Sequence, residues 1–260
     1  MKLVIRISDN SLSFSTFRED SPRTIDYEPY MVRQGIAMAA NLRQALAECR
    51  LPRTASDSAT VLIDTPVLLV PVEEYNHDSV SIEYKTVFTG HDSDDVIGAV
   101  LPGENAVAAF ALNRDLKMVV DDHFPENTFM PLMQPVWNCL HRRSFYGLRQ
   151  KLYCYFHDRK VDVASFRQNR FRFANRFNAT HAQDAAYFVL YVWKQLGMDN
   201  RTDELHLVGE IPDSQKLIEI LHKYVANIMR LDITGEASST CINGLRSIPF
   251  DLQTLYTIGR

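Results

Sequence analysis

The chain has 260 residues, 46% of them hydrophobic and 23% charged, with a formal net charge of −4. That balance argues for a packed globular protein and against wholesale disorder, and no apolar run approaches the ~20 residues that cross a bilayer. Cys49, Cys139, Cys154 and Cys241 stand far apart with no CxxC pair, which excludes a zinc ribbon or disulfide framework and predicts buried thiols in a cytoplasmic protein.

The N-terminal MKLVIRISDN is interrupted by Arg6 and Asp9, so it does not read as a signal peptide. A strand over 3–7 turns at Ser8-Asp9-Asn10-Ser11, returns over 12–17 and continues into a third run at 24–28. A helix is predicted over 31–49, because Val32, Ile36, Ala39, Ala40, Leu46 and Cys49 recur at three- and four-residue steps. Pro52 follows where that helix has stopped. Runs at 59–64 and 67–70, split by Thr65-Pro66, are β-rich, and 79–88, 96–101 and 106–112 add further strand candidates. A helix over 131–142 carries Met133, Val136, Trp137 and Leu140 on one face, with Pro135 delaying or kinking its start.

The second half repeats the opening pattern more clearly. Runs at 152–156, 161–166 and 171–177 are joined by turns at Asp158-Arg159 and Gln168-Asn169, and apolar residues alternate along them. Phe171, Phe173 and Phe177 are expected on one buried face, with Arg170, Arg172 and Arg176 on the other. Thr180-x-x-Gln183 reads as a capping box opening a helix that ends at Gly197. A short strand at 205–208 and a turn through Gly209 lead to a helix with Leu217, Leu221, Tyr224, Val225 and Ile228 on one stripe. A looser tail docks back through Leu245, Ile248, Phe250 and Leu252. The repeated β-β-β-α unit predicts an α+β chain of two similar lobes. The first spans 1–143 with a β-rich insertion around 66–118, the second spans 144–244, and the tail is 245–260.

Charge is unevenly spread. Between His141 and Phe177 lie ten Lys/Arg and two acids, so this strip carries +8 and the remainder −12. Arg167, Arg170, Arg172 and Arg176 could form a solvated, salt-bridged face, or grip an acidic protein partner or nucleic acid. Burial of the interleaved phenylalanines would remove the stacking platform that nucleic acid favours. Asp121-Asp122-His123 and His141 lack a second spaced pair, and Asp92, Asp94 and Asp95 lack the glycine and closing glutamate of a calcium loop, so no metal site is expected. Cys154 and His157 sit three apart on a strand and project to opposite faces, which disfavours a nucleophile–base pair.

The stretches VLLVP at 67–71, NAVAAFAL at 105–112, DDHFPENTFMPLMQPVWNCL at 121–140 and IPFDLQTLY at 248–256 resemble an uncharacterised bacterial family of unknown function with an actin-like ATPase fold. The meander at 152–177 and ELHLVGEIPDSQKLIEIL at 204–221 are more distantly similar to actin-like proteins, including pilus-assembly members. The resemblance implies a two-lobed actin-like ATPase (ribonuclease H-like) architecture, each lobe a β-meander sheet with packed helices. It also implies ATP and magnesium as ligands, held by an Asp-x-Gly-type turn in each lobe.

Here the residues depart from that pattern. The first turn would put its acid at Arg6 and its glycine at Ser8, and the second would put them at Tyr155 and His157. Asp9 or Asp158 could substitute only with a slipped register. In the adenosine motif Gly209 stands, but Glu210 takes the place of a second glycine and sets a carboxylate where phosphate would approach. If nucleotide binding survives, Ser8, Asp9, His157, Gly209 and Glu210 carry it. The expectation is otherwise a binding or scaffold protein with no catalytic residues, no required cofactor, a protein partner and no insertion into membrane. The rival readings are a divergent ATP-binding protein or weak ATPase, and a nucleic-acid-associated protein using the strip 141–177.

Overall fold

The structure is a computed structural model and describes residues 2–19, 23–55, 57–235 and 242–258. Cys241 lies outside these. The chain forms two compact units, one of Met1–Pro135 with Glu236–Arg260 and the other of Val136–Gly235. The division therefore falls at 135/136 rather than 143/144, and the C-terminal tail belongs to the first unit.

The first unit runs β1 (Leu3–Ile7), β2 (Leu12–Arg18), β3 (Arg23–Tyr30), α1 (Met38–Glu48), α2 (Arg50–Thr54), β4 (Ser58–Ile63) and β5 (Val67–Pro71). It continues with α3 (His77–Val87), β6 (Asp95–Leu101), β7 (Ala106–Leu112), α4 (Arg114–His123) and β8 (Glu126–Pro131). Helix α5 (Met133–Ser144) bridges to the second unit, which comprises β9 (Lys151–His157), β10 (Lys160–Arg167), β11 (Arg170–Asn178), α6 (Ala182–Gln195), β12 (Glu204–Gly209), α7 (Ser214–Leu221) and β13 (Asn227–Arg230). The short β14 (Ile242–Asn243) and α8 (Phe250–Ile258) return to the first unit.

The two sheets share one topology. In the first the order is β14-β3-β2-β1-β4-β8, and in the second β11-β10-β9-β12-β13. Each is an antiparallel meander whose first strand then pairs in parallel with the strand that follows the unit's first helices. The repeat legible in the sequence is thus a repeat of sheet order. The excess strands of the first half, β5, β7 and β6, form a separate antiparallel sheet between β4 and β8.

Both central strands, β1 and β9, are buried throughout. Leu3, Ile5 and Ile7 face a core built with Leu42, Ala45, Leu116, Val119 and Val120 of α1 and α4. Leu152, Cys154 and Phe156 face the equivalent core against Ala185, Val189, Val192 and Leu217 of α6 and α7. Each fully buried Leu, Ile, Val or Phe contributes about 1.5–3 kcal/mol relative to exposure, so these faces fix the register. Arg6, Tyr155 and His157 lie on the opposite face of their strands.

Several local expectations are corrected. Residues 79–87 are helical, with Phe88 as the extended C-cap, because Asn76 Oδ1 accepts from the N–H groups of Asp78 and Ser79 at 3.1 and 3.2 Å and caps α3. Val80 and Tyr84 are then buried four residues apart while Ile82 faces solvent. The helix predicted over 31–49 starts only at Met38, and Ile36 is exposed. Pro52 sits inside the short α2, within its first turn, where a missing N–H costs nothing. Pro135 is likewise in the first turn of α5. Helix α6 is entered from His181 without a side-chain cap, so Thr180-x-x-Gln183 is not a capping box. Ile228 belongs to β13 rather than to the stripe of α7, which ends at Leu221.

Both second-unit hairpins close with two-residue turns in which each residue has positive φ: Asp158 and Arg159 at 44° and 62°, Gln168 and Asn169 at 51° and 60°. This is the twist-matched turn for tight hairpins, made here without glycine. A register shift near the second turn pairs Ser165 with Phe173 but Phe166 with Phe171, leaving Arg172 as the extra residue. The bulge turns Phe171 to the Trp137 side, with ring centroids 5.3 Å apart, while Phe173 and Phe177 pack on the α6 core. Strict alternation had put all three on one face.

Candidate functional site

In the first unit the β1–β2 turn is closed by the Ser8 N–H donating to Ser11 O at 2.9 Å. Ser8 is buried, and its hydroxyl donates to Asp64 Oδ2 at 2.8 Å. Asp64 follows β4, the parallel neighbour of β1, and its own N–H is held by Ile7 O at 2.9 Å. Asp9 projects to solvent from the turn.

Arg6, two residues before Ser8, is 4% exposed. Its Nε donates to both carboxylate oxygens of Asp251 at 3.1 and 2.9 Å, and its Nη1 to Ser11 Oγ at 2.7 Å. Asp251 is fully buried on α8, 245 residues away in sequence. The position that would carry a magnesium-organising acid thus holds a cation, tied to its own counter-ion. On the same sheet face the Tyr256 hydroxyl, also from α8, donates to Ser15 Oγ at 2.8 Å, and burial raises its pKa.

In the second unit His157 closes β9 with its ring buried between two acids. Nε2 is 2.7 Å from Asp162 Oδ2 and Nδ1 is 3.2 Å from Asp158 Oδ2. The ring satisfies both carboxylates when it carries both protons. Asp162 is gripped from its other side by Arg176 Nε at 3.0 and 3.1 Å. Burial pushes the Asp162 carboxyl up, but Arg176 and the His157 hydrogen bond outweigh it and hold the pKa at about 2. Tyr155 stacks on His157 at 4.6 Å.

Gly209 ends β12, beside β9, with φ of 90°. A Cβ there would fall 2.2 Å from Phe156 O and 2.8 Å from the Tyr155 ring. The glycine is therefore required by packing against its own neighbours, whatever else it does. Glu210 donates its N–H to Phe156 O at 2.8 Å, and its side chain is exposed.

The arginines of the basic strip divide. Arg176 is taken by Asp162, and Arg172 donates to Gln150 Oε1 and Leu196 O. Arg167 and Arg170 are exposed and stand opposite each other at the β10–β11 tip. Sequence reasoning singled out Arg6, Ser8, His157 and Arg176 but missed Asp251, Asp64 and Asp162, the acids that bind them. Asp64 lies 56 residues from Ser8 and Asp251 lies on the terminal helix, while Asp162 is only five residues from His157 across the β9–β10 hairpin; nothing in their local sequence marks them.

The remaining polar clusters have internal partners. Asp121 accepts from Lys117 at 2.5 Å and from Asn127 at 2.9 Å; the Lys117 bond, foremost, lowers its pKa. His123 Nδ1 is 2.9 Å from Val119 O. Asp94 bonds His91 and Asn113, and Asp95 bonds Arg114. Cys49, Cys139 and Cys154 are buried free thiols, and burial raises the pKa of each.

With this geometry in hand, comparison with known proteins places the fold. The sequence pattern of a family described as "Protein of unknown function (DUF3822)" matches residues 1–228. The chain belongs to that family. A solved structure from Bacteroides thetaiotaomicron, a protein with an actin-like ATPase fold and unknown function, is 22% identical. It superposes with a TM-score of 0.85, over 98% of this chain and 95% of that one. The PilM–PilN type IV pilus biogenesis complex gives a chain 10% identical with a TM-score of 0.61, covering 98% and 94%. None of the curated proteins matches the chain. This member of the family therefore has an actin-like ATPase fold in two α+β units, and no described helix is long and apolar enough to cross a membrane.

Proposed function

We propose that this protein is a non-catalytic binding or scaffold protein that keeps the actin-like fold without its nucleotide chemistry. The observation carrying this reading is the Arg6–Asp251 pair. A magnesium nucleotide needs a carboxylate or open backbone at the first turn, whereas position 6 carries a buried guanidinium whose donors already serve Asp251 and Ser11. Ser8 is engaged by Asp64, His157 by Asp158 and Asp162, and Gly209 by the Tyr155 ring and Phe156 O. These residues fit a magnesium nucleotide poorly, so no hydrolytic step is derived from them. A protein partner is favoured by the PilM–PilN structure, in which a chain of this fold is held in a complex with another protein. The buried free thiols suit a reducing, cytoplasmic setting.

Calorimetric titration of the folded protein with Mg-ATP tests this directly. The expected result is no saturable heat down to a dissociation constant of roughly 100 μM, equivalent to about −5.5 kcal/mol. Saturable binding tighter than that would overturn the reading and make hydrolysis the next measurement. Gly209 is a poor probe of such binding, since any side chain there collides with the protein itself.

A further inference from the structure

Between α5 and β9 the chain makes a short loop, 145–150, with an unusual surface. Phe145, Tyr146 and Leu148 are 59%, 74% and 105% exposed, three large apolar side chains within four residues. The loop is nonetheless held in place. Lys151 Nζ donates to Tyr146 O, the Tyr146 N–H reaches Arg143 O at 3.2 Å, and the His141 ring meets Phe145 edge-on at 4.9 Å. A built loop that still projects its apolar side chains outward marks an interaction surface.

The charge around it points to the partner. No Asp or Glu occurs between Glu126 and Asp158, and the acids that reach the loop from elsewhere, Glu204 and Asp203, contact Arg149 and Gln150. Arg142, in the last turn of α5, is exposed and forms no ion pair among the described residues. Strand register brings a second basic element to the same end of the sheet. Tyr153 near the start of β9 pairs with Ala164 near the end of β10, so the β10–β11 tip lies beside the loop. At that tip Arg167 faces Arg170 directly across the hairpin. Arg167 is exposed there and adds its charge to that of Arg142.

Arginines framing a cluster of Phe, Tyr and Leu are the composition of segments that seat in the headgroup layer of a bilayer, with rings and aliphatic chains reaching the acyl boundary. Single-stranded nucleic acid would use a platform of stacking rings. Here the most exposed member, Leu148, has no π face. We propose that loop 145–150 and the neighbouring β10–β11 tip form a peripheral docking surface for an anionic lipid bilayer. The association is interfacial and needs no spanning helix, and it stands independently of the nucleotide reading.

The test is co-sedimentation of the full chain with phosphatidylcholine vesicles containing about 30 mol% phosphatidylglycerol, against phosphatidylcholine alone. Binding is expected only to the anionic vesicles, weakening as salt rises. Phe145→Ser with Leu148→Ser, and separately Arg142→Glu with Arg167→Glu, should each reduce it by roughly tenfold or more. Leu148→Ser alone, at a fully exposed site, serves as the check if either pair perturbs the circular dichroism. Failure to bind anionic vesicles overturns the proposal. So does binding indifferent to the apolar substitutions, or a single-stranded oligonucleotide that binds at lower protein concentration than the vesicles and is lost with the same variants.

Discussion

The buried Arg6–Asp251 pair makes a quantitative test of how the first unit is held together. Arg6 and Asp251 side chains are 5% and 0% exposed, joined by two Nε contacts of 3.1 and 2.9 Å. Arg6→Met leaves a carboxylate fully buried beside a methionine, and Asp251→Leu leaves a buried guanidinium that has lost its carboxylate and keeps its hydrogen bond to Ser11 Oγ. Breaking a buried pair from one side costs about 3–5 kcal/mol, because the surviving charge is uncompensated, while replacing both ions by apolar groups is often neutral. Losing the Ser11 hydrogen bond adds about 1 kcal/mol to any variant without Arg6. Urea unfolding followed by circular dichroism should therefore show Asp251→Leu down by about 3–5 kcal/mol, Arg6→Met down by about 4–6 kcal/mol and the double within about 1–2 kcal/mol of the parent. The cycle then gives a coupling energy of at least about 5 kcal/mol. Single losses below about 1 kcal/mol, or losses that add, would refute the claim that Arg6 is engaged chiefly by α8.

Three further outcomes follow from the same structure. Gly209→Ala should destabilise the second unit by about 2 kcal/mol or more, read from a shifted denaturation midpoint, since positive φ and a clash with Phe156 O act together; a neutral result would mean β12 can shift freely. Asp162, whose pKa falls from 3.8 to about 2 on folding, contributes stability that is complete above pH ~4 and lost as pH falls through ~2, worth about 2 kcal/mol. Asp162→Asn should flatten the stability–pH curve over that window. Both tryptophans, Trp137 and Trp193, lie in the second unit, so their fluorescence is the signal to follow. Iodoacetamide under native conditions should alkylate Cys49, Cys139 and Cys154 slowly, with mass spectrometry showing unlabelled thiols until the protein is unfolded.

How far these features could be read beforehand depended on how local their causes are. The second meander was legible because each strand is short, alternates strictly and ends in a turn of Asp, Arg, Gln or Asn, all local causes. Residues 79–88 misled because Val80, Ile82 and Tyr84 imitate a strand's alternation; the deciding group, the Asn76 side chain, acts before the run begins. Helix α4, which directly follows a strong strand and contains the acidic pair Asp121-Asp122, was not legible, although Asn113 caps it through the Leu116 N–H at 3.1 Å. The bulge at Arg172 left no compositional trace at all, since Arg-Phe-Arg-Phe satisfies alternation in either register. Among site residues, Arg6 and His157 were visible as substitutions, but what neutralises them was not.

That last asymmetry bears on function. Consider Arg6→Asp, which would set at this turn the acid that the resemblance to actin-like proteins implies. In this chain the new carboxylate would stand against Asp251, which is fully buried, and two carboxylates at that distance cannot both ionise without large cost. The turn and the terminal helix thus form a matched pair, and so do His157 with Asp158, Asp162 and Arg176. These positions are cross-linked within each unit, so a single substitution at any of them has to be judged together with its partner. The exposed loop at Phe145–Leu148 is the first surface to probe.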